Sequence, residues 1–248
     1  MRQLILSDIH SNMEAFDACM ARAEGAGYDR VLCCGDIVGY GPNPNEAVEK
    51  VRELETTAIR GNHDRVASGQ DSADDFNAHA KAAAYWTRDA LSEESTQYLI
   101  DLPVGPYDLG GGAQLVHGAV THEDDYVMSE VHAVESFELT DAPLTFFGHT
   151  HFPCVFSCDM DGNVLLEIPR GADDLLAVEL KKNVQYMINP GSVGQPRDND
   201  TRSAFAIWDT DRSRLEFHRV EYPYEITQDK MRNAGLPQYL IDRLRYGR

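Results

Sequence analysis

Short apolar runs closed by turn residues recur through the first third of the chain. Residues 2–7 stop at Ser7-Asp8, 30–34 stop at Gly35-Asp36, and 56–60 stop at Gly61-Asn62. Runs of this length, bounded by Gly, Asp and Asn, read as buried strands. Between them the spacing predicts two helices. Asn12 caps one that runs to about Glu24, with Ala15, Ala18, Cys19 and Ala23 near one face. After the Gly/Pro/Asn-rich loop 39–46, Pro44 or Asn45 opens another that runs to about Leu54. A strand–loop–helix rhythm of this kind implies a parallel βαβαβ start.

Further along, the Ala-rich stretch 77–91 predicts a helix, and Ser92 with Glu94 and Ser95 opens a second one through Ile100. From residue 104 the pattern shortens to strands at 114–117, 144–147, 154–158, 164–168, 175–180, 184–188, 204–209 and 215–221, with a helix expected over 127–139. Asp161-Gly162 and residues 209–212 supply hairpin turns. Residues 228–245 read as one or two helices, broken at Gly235-Leu236-Pro237. No internal repeat or linker interrupts the chain. The expectation is one domain over 1–248, with the helical insert 66–102 forming one wall of any pocket.

Charge narrows the range of partners. Lys and Arg number 22 and Asp and Glu 41, so the formal net charge is 22 − 41 = −19. Such a surface repels a phosphate backbone, making long nucleic acid a poor partner. Small phosphorylated substrates stay open, because bound divalent ions reverse the sign locally. Five scattered cysteines (Cys19, Cys33, Cys34, Cys154, Cys158) argue against a disulfide framework and predict a cytoplasmic setting with structural thiols. The apolar stretch Leu4 to Leu6 is too short for a signal peptide, and no run of about eighteen apolar residues predicts a membrane span.

The candidate chemistry sits where the apolar runs end. Five polar clusters follow or close strand-like runs: Asp8-Ile9-His10, Gly35-Asp36, Gly61-Asn62-His63-Asp64, His117-Gly118 and Gly148-His149-Thr150-His151. Ligands in open α/β sheets bind beyond the carboxyl ends of strands, so the five would converge on one edge. Five of the nine histidines lie inside them. Oxygen and imidazole donors without thiolates suit manganese, iron, zinc or nickel. A carboxylate on a tight turn, such as Asp36, can bridge two ions about 3.5–4 Å apart. In Asp-X-His and His-X-His, alternate residues of an extended segment point the same way. Each cluster alone is weak: Gly-Asn-His-Asp is also a good turn, and a lone His117 is also a good core residue. Their conjunction in one order carries the reading.

That order, DxH…GD…GNHD…H…GHxH, resembles the calcineurin-like metallophosphoesterases, nearest to their small single-domain prokaryotic phosphodiesterases. The resemblance implies a four-layer α/β/β/α sandwich with mixed sheets and a dinuclear metal site at the strand ends. It implies that Asp8, His10, Asp36 and His151 hold one ion, and that Asp36, Asn62, His117 and His149 hold the other, with Asp36 bridging. His63 would stand beside the substrate, protonating the leaving oxygen or stabilising the phosphorane charge. Two divalent ions, Mn²⁺ first and Fe, Zn, Ni or Mg as alternatives, would hold the phosphate and supply a bridging hydroxide for in-line attack. The implied activity is hydrolysis of a small phosphodiester. The alternatives are a dinucleoside polyphosphate pyrophosphatase, a protein phosphatase, and a non-enzymatic docking scaffold like the calcineurin-fold subunit of retromer. That scaffold lacks the catalytic histidine, which His63 supplies here.

The second motif departs from the protein phosphatase branch. That branch carries Gly-Asp-X-X-Asp-Arg-Gly, where this chain has Gly35-Asp36-Ile37-Val38-Gly39-Tyr40-Gly41. The Asp that orients the catalytic histidine becomes Gly39, and the phosphate-gripping Arg becomes Tyr40. Asp64 is a candidate to orient His63. Arg197 and Arg202, in the Gly/Pro-rich stretch 189–202, are candidates to hold phosphate, as is the ambiguous Arg65. Tyr40, Tyr85 and Trp86 are candidate stacking surfaces. His79, His132 and His218 are assigned no role, and His122 could rim the pocket.

Overall fold

The computed structural model describes residues 1–169 and 175–248. In chain order it opens with β1 (Arg2–Leu6), α1 (Met13–Ala26), β2 (Arg30–Cys33), α2 (Pro44–Glu53) and β3 (Thr57–Ala58). β1 pairs parallel with β2, and β2 parallel with β3, as the alternation predicts. The Asn12 side chain accepts the Ala15 N–H to start α1, and α2 starts with Pro44, whose missing N–H costs nothing in a first turn.

Three helices follow: α3 (Asn62–Ala67), α4 (Ala78–Ala90) and α5 (Glu93–Asp101). Then come β4 (Tyr107–Gly110), β5 (Ala113–Leu115), α6 (Glu130–Phe137), β6 (Leu144–Phe146), β7 (Cys154–Cys158), β8 (Val164–Glu167), β9 (Leu175–Glu179), β10 (Gln185–Asn189), β11 (Ser203–Asp209) and β12 (Arg214–Val220). The chain closes with α7 (Tyr224–Asn233), α8 (Gln238–Arg243) and a short 3₁₀ turn (Leu244–Tyr246), with α7 and α8 separated at Gly235, whose φ of +72° suits glycine.

The strands form two mixed sheets, ordered β3-β2-β1-β11-β12-β9 and β4-β5-β6-β10-β7-β8. Strand periodicity explains the layers. Leu4, Leu6, Phe205 and Ile207 point outward onto Phe16, Cys19, Val48, Val51 and Leu99 of the helices. Their neighbours Ile5, Leu32 and Ala206 point inward, against Leu115, Phe146, Val155 and Ile188 of the second sheet. The far face of that sheet, with Phe147, Phe156 and Met187, is covered by Ala133 and Phe137 of α6. Helix, sheet, sheet and helix therefore stack in the expected four layers. Fully burying each of these large side chains stabilises the fold by about 1.5–3 kcal/mol. A smaller cluster beside the sandwich joins Tyr40 and Ala80 to Met231, Leu240 and Ile241, fastening α4 to α7 and α8.

Two elements depart from expectation. β4 is a largely exposed edge strand without apolar alternation, and its pairing slips between Asp108 and Gly110. Gly61-Asn62-His63-Asp64, which also reads as a turn, opens a helix instead. The Asp64 carboxylate accepts the Gly61 N–H at 2.9 Å and closes that first turn.

Candidate metal centre

Every predicted ligand leaves the carboxyl end of a strand. Asp8 and His10 follow β1, Asp36 follows β2, Asn62 lies beyond β3, His117 follows β5, and His149 and His151 follow β6. They do not converge by strand alternation, as the sequence pattern predicts. Asp8, His10, Asp36, His149 and His151 all have φ between 49° and 64°, in the left-handed region. That backbone is sparsely populated for residues other than glycine, though Asp and His enter it more readily than most. Loop-to-loop bonds hold it in place: His10 N–H to the Asp36 carbonyl at 3.0 Å, Gly194 N–H to Asp8 at 2.9 Å, and Gly148 N–H to His117 at 2.8 Å.

The side chains gather into two buried groups, Asp8–His10–His151 and Asp36–His117–His149, with the ligand atoms of each within 4.8 Å of one another. Asp36 Oδ2 lies 3.6 Å from His10 Nε2 and 3.5 Å from His117 Nε2, so one oxygen stands between the groups. Asn62 Oδ1 is 3.2 Å from His117 Nε2.

The imidazole partners fix which nitrogen is bare. His10, His117 and His151 each place Nδ1 on a backbone carbonyl: Val38 at 3.0 Å, Cys34 at 2.8 Å and Gln195 at 2.7 Å. A carbonyl only accepts, so Nδ1 carries the hydrogen and Nε2 presents a lone pair. His149 is reversed, with Nε2 on the Asp124 carbonyl at 3.1 Å. His10 Nε2 and His151 Nε2 consequently face each other at 3.2 Å as two acceptors. A cation between them satisfies both, so this donor set fits a divalent metal.

The charges agree. Burial, with the Asp36 charge adding to it, pushes the Asp8 carboxyl up to about 7. Burial drives His149 down to about 3. Burial opposes charge on His117 too, but Asp36 beside it outweighs that and raises it to about 10. The bare protein thus keeps a proton where a metal would supply the positive charge.

His63 is not in either group. Its ring packs against Tyr40 at 4.3 Å and Phe76 at 4.7 Å between centroids. Its Nδ1 is buried without a partner among the described residues and lies against Gly39, where an added Cβ would come within 2.5 Å. Nε2 is therefore the nitrogen left for the cavity that the ring lines. Burial lowers this histidine to about 4. Asp64 does not orient it. The two Asp64 oxygens are taken by the backbone N–H groups of Val38 at 3.0 Å and Gly61 at 2.9 Å.

A cavity of about 210 Å³ opens over the centre, lined by Asp36, Asn62, His63, His149, Tyr40 and Arg197 among others. The candidates for substrate contact separate here. Arg197 and Tyr40 line the cavity. Arg202 does not, and its guanidinium meets Asp200 at 2.6 Å. Arg65 is committed to Glu123 and Asp124. His79, His122, His132 and Tyr85 are exposed, His218 is buried flat against Phe205 at 4.6 Å, and Trp86 packs in the helical cluster.

Phe76, Asp75 and Asn77, ahead of α4, also line the cavity, as do Ala80, Asp124 and Tyr126. The Tyr126 ring stacks on His149 at 4.0 Å. None of Phe76, Asp124 or Tyr126 is marked by its local pattern. Asn77 was visible only as the first residue of the Ala-rich helical stretch, where it proves to be the cap of α4.

Among known proteins, an uncharacterised protein of Methanocaldococcus jannaschii is 36% identical over 248 residues, covering 98% of this chain and 97% of its own. The crystal structure of a metallophosphoesterase from Sphaerobacter thermophilus matches with 42% identity and a TM-score of 0.87, covering 100% of this chain and 99% of that one. A hypothetical protein of Pyrococcus horikoshii shares the fold at 22% identity, with a TM-score of 0.79 and coverage of 100% and 98%. With the calcineurin-like phosphoesterase superfamily domain matched over residues 1–213, the chain belongs to that family and is a metal-dependent phosphoric ester hydrolase.

Proposed function

We propose that the protein is a phosphodiesterase for small substrates, with a dinuclear metal centre held by Asp8, His10, Asp36, Asn62, His117, His149 and His151. The observation that carries this reading is the Asp36 carboxylate oxygen, placed 3.6 Å and 3.5 Å from imidazoles of the two groups. Two divalent ions, with manganese first, would supply Lewis acidity toward the phosphoryl oxygens and an activated water.

The chain's own residues then do the remainder. His63, neutral near pH 7, offers an Nε2–H hydrogen bond to the leaving oxygen from a ring packed against Tyr40 and Phe76. Asn62 and His117 would help to hold one ion, and Asp8 with His151 the other. The stretch 66–102 walls the cavity through Phe76, Asn77 and Ala80, and we infer that the whole chain works as one domain.

A cavity of about 210 Å³ over the centre has room for the phosphoryl group and adjoining atoms of a small ester. Gly39 and Tyr40 replace the Asp and Arg of the protein phosphatases, which disfavours that branch. A docking scaffold would have no use for His63 aligned on a complete ligand set.

The test is hydrolysis of bis-p-nitrophenyl phosphate and p-nitrophenyl phosphate by metal-stripped protein, with Mn²⁺, Ni²⁺ or Mg²⁺ restored. Faster metal-dependent turnover of the diester, lost in Asp36→Asn, is the expected result. Preference for the monoester would overturn the diesterase reading. Absence of turnover with every metal and both reagents would favour the scaffold.

A further inference from the structure

Arg197 is held unlike Arg202, the other arginine of its loop. Its neighbours Asp198 and Asp200 are both engaged by other guanidinium groups, Asp198 by Arg219 and Asp200 by Arg202. Arg197 has no carboxylate partner among the described residues, in a chain where acids outnumber bases 41 to 22. Its Nη2 donates to Gln195 Oε1 at 2.9 Å, and its Nε is buried without a partner. The guanidinium carbon stands 5.7 Å from the centre of the Tyr40 ring. Both side chains line the cavity with Asp36, Asn62 and His63.

The stem of Arg197 is anchored to the metal groups themselves. The Gln195 carbonyl accepts His151 Nδ1 at 2.7 Å, and the Gly194 N–H donates to the Asp8 carbonyl at 2.9 Å. The Gln195 N–H donates to Ser192 Oγ at 2.9 Å, and that hydroxyl donates to Asp8. Tyr40 is equally fixed: its backbone is left-handed, with φ 55°, and its ring is pinned against His10 and His63.

We propose that Arg197 is the phosphate-binding arginine of this enzyme, delivered by the loop after β10 and seated on Tyr40, the residue that stands where protein phosphatases place theirs. One sequence position thus gives up a cation and becomes the platform for another. The guanidinium carbon, 5.7 Å from the ring centroid, is within cation–π range of Tyr40, with donors left for a phosphoryl oxygen. Tyr40 is a positioning residue, and Arg197 touches the substrate. The inference rests on the phosphoesterase reading above.

The experiment is calorimetric titration of inorganic phosphate into Mn²⁺-loaded protein, with bound metal measured in every variant. It is run beside KM and kcat for bis-p-nitrophenyl phosphate. Arg197→Ala should weaken phosphate binding about ten- to a hundredfold, with metal content unchanged. Arg197→Lys should recover part of that loss and Arg197→Gln none, a comparison that decides the point even where alanine unsettles the loop. Tyr40→Phe, which keeps the ring, should retain most of the affinity that Tyr40→Leu loses. In an Arg197→Ala background, Tyr40→Leu should add little further loss. Phosphate affinity indifferent to Arg197 would overturn the proposal, and additive losses would overturn the role of Tyr40. Arg197-dependent phosphate binding without turnover by the native protein would sink the phosphoesterase reading and leave the arginine standing. Turnover with Arg197-independent binding would sink only this inference.

Discussion

Gly39 shows how one residue shapes the site by having no side chain. Its φ of +94° is left-handed, and a Cβ there would lie 2.5 Å from His63 Nδ1. The protein phosphatases use this position to orient their histidine with a carboxylate. Here the space goes to the imidazole itself, which is wedged between Tyr40 and Phe76 instead of hydrogen-bonded at Nδ1. Orientation by packing has a testable consequence. Gly39→Ala should displace the ring and lower kcat for bis-p-nitrophenyl phosphate at least tenfold, while metal content stays near native. The cost in stability should be at least about 2 kcal/mol, a left-handed alanine adding about 1–2 and overpacking against His63 about 1–3. His63→Ala provides the reference, since it should keep metal and lose most turnover. A Gly39→Ala protein with native kcat would mean that the position of His63 is not what matters.

At the scale of elements, Asn12 binds three segments that meet at the centre. Its Oδ1 accepts the Ala15 N–H of α1 at 3.3 Å and the Thr227 hydroxyl of α7 at 2.9 Å, while Nδ2 donates to the Gly194 carbonyl at 2.8 Å. Asn12→Ala removes a helix cap and strands buried partners, so a loss of about 3 kcal/mol is expected in urea unfolding. Asn12→Asp sets a buried carboxylate oxygen against the Gly194 carbonyl and should lose at least as much as alanine. The cap was legible in the sequence because capping is local, and so were β1 to β3, whose apolar runs end in Gly, Asp or Asn. The seven metal-ligand candidates were legible for a related reason, since each lies within a few residues of a strand end. β4 was not, because an exposed edge strand needs no alternation. Phe76 and Tyr126 were not, because what brings them to His63 and His149 is the docking of distant segments. Arg197 and Arg202 could not be separated by pattern either. Both stand among acids, and only the folded loop shows that Asp200 takes Arg202 and leaves Arg197 to the cavity.

The whole molecule carries a charge of −19 and buries Asp8 and Asp36 together at the meeting point of two sheets. Such a fold should gain much of its stability from the ions it binds. A ligand at a hundred times its Kd adds about 2.7 kcal/mol, so two ions add about 5 kcal/mol, a rise in Tm of about 10 °C or more for a chain of this size. Protons set the pH dependence. Asp8 near 7 and His117 near 10 hold protons in the metal-free protein that the ligand forms must give up. Loading should therefore release protons, and the stabilisation by Mn²⁺ should grow as pH rises from about 6 to 9, because the competing proton becomes scarcer. Which substitutions abolish the shift locates the shared ligand. Asp8→Asn should lose about half of it, since Asp8 belongs to one group. Asp36→Asn should lose most of it, since a single Asp36 oxygen faces an imidazole of each group, at 3.6 Å and 3.5 Å. Thermal melts of the stripped and Mn²⁺-loaded variants make the comparison without reference to turnover. Equal losses from the two substitutions would mean two independent sites, and the bridging role of Asp36 would have to be abandoned.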